Sequence, residues 1–381
     1  MNNKYKICHI STAHGKFDDR IFYKECLSIA EHGFDVSCIV QSEVNETVNG
    51  VKILKLPIFK NRLYRMLINP LIATCKVLKN RYRIVHLHDP ELLFVGICLK
   101  IFGKVVIYDM HELVYSQIND KDWISNRSIK RIISLIYQKL ERISVHLFDR
   151  IILAEDGYKD YFFKNYKPYM NKVFFIRNFP ILKLIHDSKA IKFDKNDKYI
   201  ILYAGGLTKI RGIKEIVDAL SYIDKPIEFW ILGKFENDNY HNECILSPGW
   251  TKVKYIGHVN HSEVYSYILS CDIGISLLYP LPNYLSSLPV KAFEYMACEK
   301  PMIMSDFQYW EEVFKDVAVF CNPKDSKAIA DSITSIICNV ENAKNMGKKG
   351  RQLIIEKYSW ESESQKLVDI YKQLAILKNG N

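Results

Sequence analysis

Short stretches in which apolar residues alternate with polar ones, or run together, recur along the first half of the chain. Such stretches predict strands, at 4–10, 35–40, 83–88, 104–108, 151–154 and 173–176. Between the first two strands lie a polar loop, 11–15, and a helical pattern that ends near Gly33, where glycine suits a helix C-cap. A strand, a helix and another strand in this order predict parallel pairing with a right-handed crossover.

The strand pattern begins again at Tyr199, after a charged segment, 183–197, that has no strong periodicity. Strands are predicted at 199–204, 227–232, 253–256 and 272–278, and the chain beyond Glu311 is predicted to be mainly helical. We therefore predict an α/β protein in which the segment 183–197 links two domains that each contain a parallel sheet.

Length and composition agree with two folded domains. A chain of 381 residues can form two cores of ordinary size, and a hydrophobic content of 48% is typical of soluble globular proteins. No apolar run reaches the roughly 20 residues that a membrane-spanning helix needs, and the chain opens directly into a strand pattern, so no signal peptide is expected. The ten cysteines include no CxxC pair, so we expect reduced core thiols in a cytoplasmic protein and no zinc site.

The net charge of +10 is concentrated in one segment, 60–83, which has seven basic residues and no acidic one. The basic residues are Lys60, Arg62, Arg65, Lys76, Lys79, Arg81 and Arg83. Apolar residues stand between these charges, which is typical of a helix that lies on an anionic membrane surface. The alternative is a solvated face on a core helix. Nucleic-acid binding is less favoured, because no recognition motif accompanies the charge.

Polar side chains cluster where the strands of the first half end. His86, His88 and Asp89 close one strand, and Asp109, His111 and Glu112 follow the next. Strand alternation places His86 and His88 on one face, and an imidazole beside an acid can orient a hydroxyl group. A hydrogen-bonded structural histidine is the alternative, which we favour for His86. Gly15 follows the first strand and would let that loop approach a ligand closely.

Glycines follow the strands of the second half. Gly205 and Gly206 form a turn after the strand 199–204, with Arg211 shortly beyond them. Backbone amides in such a turn can reach a phosphate, and an arginine can hold a diphosphate with paired donors. Gly233 and Gly257 follow the next two strands and fit a pocket for a nucleotide base that is bounded by backbone.

The segment 286–301 passes from a turn-prone loop, Ser286-Ser287-Leu288, into a helix with Pro289 predicted at its first position. The free N–H groups of such a helix start can bind an anion. Glu294 follows one turn later, where it could accept hydrogen bonds from a ligand diol. The alternative is an ordinary buried helix in which the glutamate caps or pairs.

Three runs of residues carry a resemblance to a known family. Pro289-x-Lys291-x-x-Glu294-Tyr295-Met296-Ala297 resembles the nucleotide-sugar helix of retaining glycosyltransferases of family 4. The run His14-Gly15-x-Phe17-Asp18-x-Arg20-Ile21-Phe22 is similar to the opening of polysaccharide- and lipopolysaccharide-building members, and Arg177-Asn178-Phe179-Pro180 to the N-x-P that closes their first domain. The resemblance implies the GT-B fold, two Rossmann-like domains facing each other across a cleft.

The resemblance implies a first domain at 1–182 that receives the acceptor and a second domain at 198–360 that binds the nucleotide-sugar. Residues 361–381 are expected to form a helix that crosses back to the first domain. Expected catalytic residues are His88, Arg211 and Glu294, and expected acceptor-side residues are Asp89, His111 and Glu112. Expected donor-binding residues are Gly15, Gly205, Gly206, Arg211, Gly233, Gly257, Ser286, Ser287, Leu288, Pro289, Lys291 and Glu294.

The chain departs from the family pattern at three positions. Ser286 stands where a first glutamate is usual, Gly206 where a basic residue is common, and Glu299 where a small residue is usual. The first departure concerns the contact to the donor sugar, and the second removes one charge from the diphosphate site.

The implied function is retaining transfer of a sugar from a UDP- or GDP-linked donor to a saccharide acceptor, expected to be lipid-linked, in the synthesis of surface polysaccharide such as O-antigen or capsule. No metal and no cofactor are expected, because Arg211, Lys291 and helix amides can stabilise the charge of the leaving diphosphate. The protein is expected to act at the inner face of the cell membrane, with which it would make peripheral contact. The alternatives are a nucleotide-sugar 2-epimerase of the same fold and a non-catalytic sugar-nucleotide binder.

Overall fold

The computed structural model describes residues 5–111, 113–114 and 126–376, and the chain divides into two compact units. Unit 1 consists of Met1–Asn178 with Ser362–Asn381, and unit 2 consists of Phe179–Glu361. The segment predicted as a linker, 183–197, belongs to unit 2 by this division. It contains most of a short helix, Leu182–Asp187, whose Ile185 is buried in the core of unit 2.

Unit 1 is built on an eight-stranded sheet in the order β3-β4-β2-β1-β5-β6-β7-β8. The strands are β1 (Lys6–Gly15), β2 (Asp35–Gln41), β3 (Glu46–Val48), β4 (Val51–Leu56), β5 (Ile84–Leu87), β6 (Val105–Met110), β7 (Arg150–Leu153) and β8 (Val173–Phe175). Every pairing is parallel except that of β3 with β4. The sequence pattern did not predict β3 and β4, which are a short antiparallel edge and its neighbour.

Helices cover the sheet of unit 1. A π-helical segment, Asp19–Cys26, continues into α1 (Leu27–Glu31), and the others are α2 (Arg62–Lys79), α3 (Leu93–Ile101), α4 (Arg127–Leu147) and α5 (Lys159–Tyr166). The Asp18 side chain caps the π-helical segment by accepting hydrogen bonds from Arg20 N and Ile21 N. The core lies where side chains of β5, β6 and β7 meet α3 and α4.

The polar loop predicted at 11–15 is part of β1. The pairing of β1 with β2 shifts between Ile10 and Gly15, so the strand continues after an irregularity. The Asp89 carboxylate holds this stretch in place, since it accepts hydrogen bonds from Ser11 Oγ at 2.9 Å and Ala13 N at 3.1 Å. The prediction of a loop was wrong because this anchor comes from a residue far along the chain.

Unit 2 contains a six-stranded, wholly parallel sheet in the order β11-β10-β9-β12-β13-β14. The strands are β9 (Tyr199–Ala204), β10 (Ile227–Leu232), β11 (Val253–Gly257), β12 (Ile273–Ser276), β13 (Met302–Ser305) and β14 (Ala318–Cys321). Hydrophobic cores lie on both faces of the sheet, as expected when helices cover both sides.

The helices of unit 2 begin with α6, the Leu182–Asp187 helix already described, and α7 (Ile213–Ala219). They continue with α8 (Asp238–Ile245), α9 (His261–Ser270), α10 (Pro282–Leu285), α11 (Val290–Ala297), α12 (Gln308–Phe314), α13 (Ser326–Cys338) and α14 (Val340–Lys357). Pro289 was predicted at the first position of α11 but is its N-cap residue, because its ψ of 123° is extended rather than helical.

The last described helix, α15 (Trp360–Ile376), supplies apolar residues to unit 1. Leu367, Val368 and Tyr371 are fully buried, and the Tyr371 hydroxyl lies 2.8 Å from His86 Nδ1. The environment of His86 agrees with its interpretation as a hydrogen-bonded structural histidine. Among the residues that the structure describes, no helix has the length and apolarity needed to cross a membrane.

Candidate functional site

Three polar groups of unit 2 converge on the turn that follows β9. A Cβ atom added at Gly205 would lie 3.0 Å from Lys291 Nζ, 3.2 Å from Arg211 Nη1 and 3.4 Å from the Tyr203 hydroxyl. Gly205 also has a φ of +142°, which side-chain-bearing residues rarely adopt. Glycine is therefore required at this position, both by the backbone and by the two cations that approach it.

Tyr203 holds the two cations in place. Arg211 Nη1 donates a hydrogen bond to the Tyr203 hydroxyl at 3.1 Å, and this hydroxyl donates to Gly206 O at 3.0 Å. Lys291 Nζ lies 3.8 Å from the centre of the Tyr203 ring, a cation–π distance. The sequence analysis missed Tyr203, because its place in an apolar strand looks like that of any core residue.

Burial affects the two cations differently. It lowers the pKa of Lys291 well below the ordinary lysine value, and Arg211 nearby lowers it further, whereas Glu294 opposes the shift. Burial also works against the charged form of Arg211, but the contact with Tyr203 outweighs it and raises the pKa of Arg211. Two cations held together at one glycine form a site that attracts an anion with charge on several oxygens.

Lys291 and Glu294 lie on one face of α11, three residues apart, and both are partly exposed. The opposite face is buried: the Tyr295 hydroxyl donates to Leu202 O at 3.0 Å, and its ring packs on Gly274, where a Cβ would lie 2.4 Å away. No side chain caps the start of α11, so its first-turn N–H groups can receive an anion.

The loop that leads into α11 is held against the core of unit 2. Trp310 is fully buried in α12 and its Nε1 donates to Ser287 O at 2.6 Å, while Leu288 packs on the core. Ser286 ends α10 and is exposed. Trp310 is a second residue that the sequence analysis did not single out.

Gly205 and Gly233, which follow β9 and β10, and Gly257, which ends β11, lie side by side. A Cβ at Gly233, whose φ is +139°, would collide with the carbonyl oxygen of Gly205, and Gly233 N donates to Gly257 O at 2.7 Å. These turns bring three stretches of backbone close together, and a pocket for a nucleotide base at this place stays a prediction.

In unit 1, Asp89 is a buried anchor. Besides its bonds to Ser11 and Ala13, its Oδ1 lies 3.3 Å from His14 Nδ1. Burial alone would raise the pKa of Asp89, but hydrogen bonds from His14 and the strand stretch outweigh it and hold the pKa well below its usual range. Asp89 therefore acts here as an ionised structural acceptor.

His88 is buried, and both its ring nitrogens have partners inside unit 1. Its Nε2 lies 2.9 Å from His9 Nδ1, and its Nδ1 lies 3.4 Å from Asp109 Oδ2. His111 Nε2 lies 2.8 Å from the same Asp109 oxygen, and 20% of the His111 side chain is exposed. The accessible imidazoles are thus His111 and His14, whose ring centres are 6.0 Å apart.

Asp109 is the centre of this polar group. Arg20 binds it with two hydrogen bonds, from Nε to Oδ2 at 2.8 Å and from Nη2 to Oδ1 at 2.9 Å. Burial would raise the pKa of Asp109, but Arg20 and His111 keep it well below the usual value. Arg20 lies in the run that carries the resemblance, yet its role as the partner of Asp109 was not predicted. Glu112 lies outside the described residues, and a Cβ at Gly15 would meet nothing within 4 Å.

The predicted site residues thus form one group in each unit. Unit 2 brings together Gly205, Gly206, Arg211, Lys291 and Glu294, whereas unit 1 brings together His88, Asp89 and His111.

Comparisons with known proteins agree with this fold. Residues 185–353 match the family model described as glycosyl transferases group 1. An uncharacterized glycosyltransferase of Methanocaldococcus jannaschii is 21% identical over 314 residues, which are 77% of this chain and 76% of that protein. The N,N'-diacetylbacillosaminyl-diphospho-undecaprenol alpha-1,3-N-acetylgalactosaminyltransferase of Campylobacter jejuni is 23% identical over 194 residues, 50% of this chain and 48% of that protein.

Among solved structures, sucrose-phosphate synthase from Thermosynechococcus elongatus has a TM-score of 0.77 at 17% identity, covering 98% of this chain and 100% of that chain. The fold is therefore that of the GT-B glycosyltransferases. Within it, residues 185–353 match the glycosyl transferases group 1 family model, and the relatives named above are glycosyltransferases.

Proposed function

We propose that this protein is a retaining glycosyltransferase that moves a sugar from a UDP- or GDP-linked donor to a saccharide acceptor. The observation that carries the proposal is the convergence of Lys291 Nζ, Arg211 Nη1 and the Tyr203 hydroxyl on Gly205. The leaving group of such a donor is a nucleoside diphosphate, and preorganised cations that meet its developing charge lower the barrier to transfer.

The roles of the unit 2 residues follow from their chemistry. Arg211 and Lys291 hold the diphosphate together with amides of the Gly205–Gly206 turn and of the start of α11. Glu294, one turn into α11, accepts hydrogen bonds from the ribose hydroxyls. Since two side-chain cations neutralise the diphosphate, we propose that the transfer step itself needs no bound metal, and that the acceptor attacks from the face that the phosphate leaves.

On the acceptor side we propose His111 as the group that contacts a sugar hydroxyl, because it is accessible and paired with Asp109. His88 lies behind it, with ring centres 5.5 Å apart, and would reach the donor sugar only if its present contacts open. Replacing His88 with Ala is expected to preserve donor binding and to lose transfer.

A lipid-linked acceptor at the inner face of the cell membrane, in surface polysaccharide synthesis, is our proposal for the setting. The name of the Campylobacter relative describes transfer to a saccharide on diphospho-undecaprenol. Unit 1 also exposes apolar side chains on two helices that carry basic residues, among them Leu67 and Leu71 on α2 and Ile132 and Ile136 on α4. Such faces suit peripheral contact with anionic lipid.

The proposal is tested by measuring the turnover rates of the variants Arg211→Ala and Glu294→Ala, with accepted donors identified by mass spectrometry of the product. Each change should lower the rate about 10²- to 10³-fold, as removal of a preorganised charge contact does. The fold, checked by circular dichroism, should persist, because both side chains are partly exposed. Lys209→Ala is the matched control, since Lys209 is an exposed cation in the same turn as Arg211.

A near wild-type rate for either variant with any accepted donor would show that the diphosphate and ribose site is placed wrongly. Consumption of the donor without an acceptor would instead favour the epimerase, and donor binding without turnover over a broad acceptor panel would favour the non-catalytic binder.

A further inference from the structure

Four buried side chains of unit 1 converge below the polar group just described. They are His9 of β1, His86 of β5, His88 directly after β5, and Glu25 of the π-helical segment, and none is exposed by more than 2%. His9 and His86 are direct neighbours in the pairing of β1 with β5, and strand alternation puts His88 on the same face as His86. The proposed transfer reaction uses neither His9, His86 nor Glu25, whereas for His88 a contact to the donor sugar and a place among the ligands of an ion exclude each other.

The four side chains present nitrogen and oxygen atoms to one point. Glu25 Oε2 lies 3.6 Å from His9 Nδ1, 3.7 Å from His86 Nδ1 and 3.8 Å from His88 Nε2. The two nitrogens of His9 and His88 are 2.9 Å apart. Four ligands at zinc–ligand distances of 2.0–2.1 Å in a tetrahedron are about 3.3 Å from one another. These four separations bracket this value, and all four ligand atoms lie within 4.8 Å of one another, so small shifts would bring them to an ion at the centre.

The carboxylate supplies an independent observation. Both oxygens of Glu25 are buried, and neither has a hydrogen-bond partner among the described residues. Arg20 Nε is 3.1 Å from Oε1, but it donates its hydrogen bond to Asp109. Arg20, the cation beside Glu25, is shared with Asp109, and Glu25 Oε2 faces three imidazole nitrogens.

The outer nitrogens of two of these histidines are engaged as they are around metal ions in other proteins. His9 Nε2 lies 3.1 Å from the Tyr371 hydroxyl, and His88 Nδ1 lies 3.4 Å from the Asp109 carboxylate. Such contacts fix the tautomer, so that the inner nitrogen offers its lone pair to the centre. Tyr371 OH is also 2.8 Å from His86 Nδ1, and it would turn toward His9 if an ion occupied the centre.

We propose that His9, Glu25, His86 and His88 form a structural zinc site. Three imidazoles and one carboxylate without a thiolate suit Zn²⁺, and with all four positions supplied by protein the ion would have no open position for a substrate. It would tie β1, β5 and the π-helical segment together. The expectation of no zinc rested on the spacing of cysteines, which says nothing about histidines that the sheet brings together. This proposal is independent of the donor site in unit 2.

The test begins with the full-length protein, stripped with a chelator, incubated with Zn²⁺ and desalted. Elemental analysis should find one Zn²⁺ per chain, X-ray absorption should give nitrogen and oxygen ligands at about 2.0–2.1 Å, and renewed chelation should lower the melting temperature. Glu25→Gln and His86→Gln should each reduce the retained zinc at least tenfold. His146→Gln is the matched control, because it makes the same change as His86→Gln at an exposed histidine of unit 1 outside the cluster and should retain the zinc.

Wild-type protein that retains no zinc, and whose melting temperature a chelator does not change, would overturn the proposal whether or not the variants fold. It would also be overturned if Glu25→Gln and His86→Gln retained as much zinc as wild type. The cluster would then be a hydrogen-bonded network only.

Discussion

At the scale of the residue, the turn after β9 contains two neighbouring glycines with opposite requirements. Gly205 has a positive φ and has Lys291 and Arg211 against the place where its Cβ would be. At Gly206 an added Cβ would meet only Thr208 Cγ2, at 4.0 Å. The first glycine is a steric condition for bringing the two cations together, whereas the second leaves room for a side chain.

Gly205→Ala should therefore weaken nucleoside diphosphate binding about 10- to 100-fold, since strain at a positive φ and loss of charged contacts each amount to about 1–3 kcal/mol. Gly206→Ala should bind as wild type does. Titration calorimetry with UDP and GDP measures both. Equal affinities for the two variants would contradict the role given to Gly205.

The half-buried Lys291 makes nucleotide binding depend on pH. The lysine must be protonated to attract a diphosphate, and burial with Arg211 lowers its pKa in the free protein. The contribution of Lys291 is therefore complete below that lowered pKa and is lost as the pH rises through it. The loss should begin well below pH 10.4, about the ordinary lysine value.

Dissociation constants for UDP measured from pH 6.5 upward test this expectation. Lys291→Arg is the control, because a guanidinium stays charged over the whole range and the ionisation of the nucleotide is common to both proteins. As the pH rises, the affinity of wild type for UDP should fall relative to the affinity of Lys291→Arg. A constant ratio would rule out titration of Lys291.

At the scale of the element, α2 exposes an apolar face, whereas the exposed face of a helix in a globular protein is ordinarily polar. Leu63, Leu67 and Leu71 follow one another at four-residue spacing and are 62%, 68% and 65% exposed. Arg62 and Lys79 are exposed on the same helix, whereas Arg65 is paired with Glu91 at 3.2 Å and contributes little to its outer charge. The exposed leucines favour the membrane interpretation over a solvated face.

We expect the protein to sediment with anionic liposomes at low ionic strength and less at high ionic strength, since each basic residue near the surface contributes about 1 kcal/mol. The double change Leu67→Gln with Leu71→Gln should lower sedimentation several-fold. Leu246→Gln with Ile355→Gln removes two exposed apolar residues from unit 2, 84% and 58% exposed, and should change nothing. No sedimentation of wild type at low salt, or equal sedimentation of both double variants, would contradict membrane contact by α2.

At the scale of the whole molecule, unit 1 is completed by a segment that follows unit 2 in the chain. The helix α15 buries Leu367, Val368 and Tyr371 in unit 1, and Glu363 accepts a hydrogen bond from Arg177 N at 2.8 Å. Each fully buried apolar side chain contributes about 1.5–3 kcal/mol. Three of them approach the total stability of a domain, about 5–15 kcal/mol.

Ending the chain at Glu361 should therefore make unit 1 sensitive to protease while unit 2 stays resistant. Limited proteolysis with mass spectrometry of the fragments distinguishes the two units. A chain that ends at Ile376 is the control and should behave as the full chain does. Resistance of both units after the longer deletion would show that α15 adds little to unit 1.

Local patterns in the sequence predicted most strands of the two sheets and singled out residues that the structure brings together at Gly205. The strands 199–204 and 227–232 have the bounds that alternation predicted, and Arg211, Lys291 and Glu294 lie where the glycine turn and the start of α11 indicated. These features are readable because strand alternation and the special φ of glycine are properties of residues near one another in the chain.

Only the tertiary structure decided which distant side chains meet. Tyr203 stands in an apolar strand, and only the structure shows that Arg211 and Lys291 contact it. Only the structure, likewise, shows that Asp89, whose acceptor-side role stays a prediction, holds residues 11–13 of β1 in place. The cluster of His9, Glu25, His86 and His88 exists because sheet register sets β1 beside β5 and because the π-helical segment packs over both. Register and packing depend on the whole core, so no short stretch of sequence contains them.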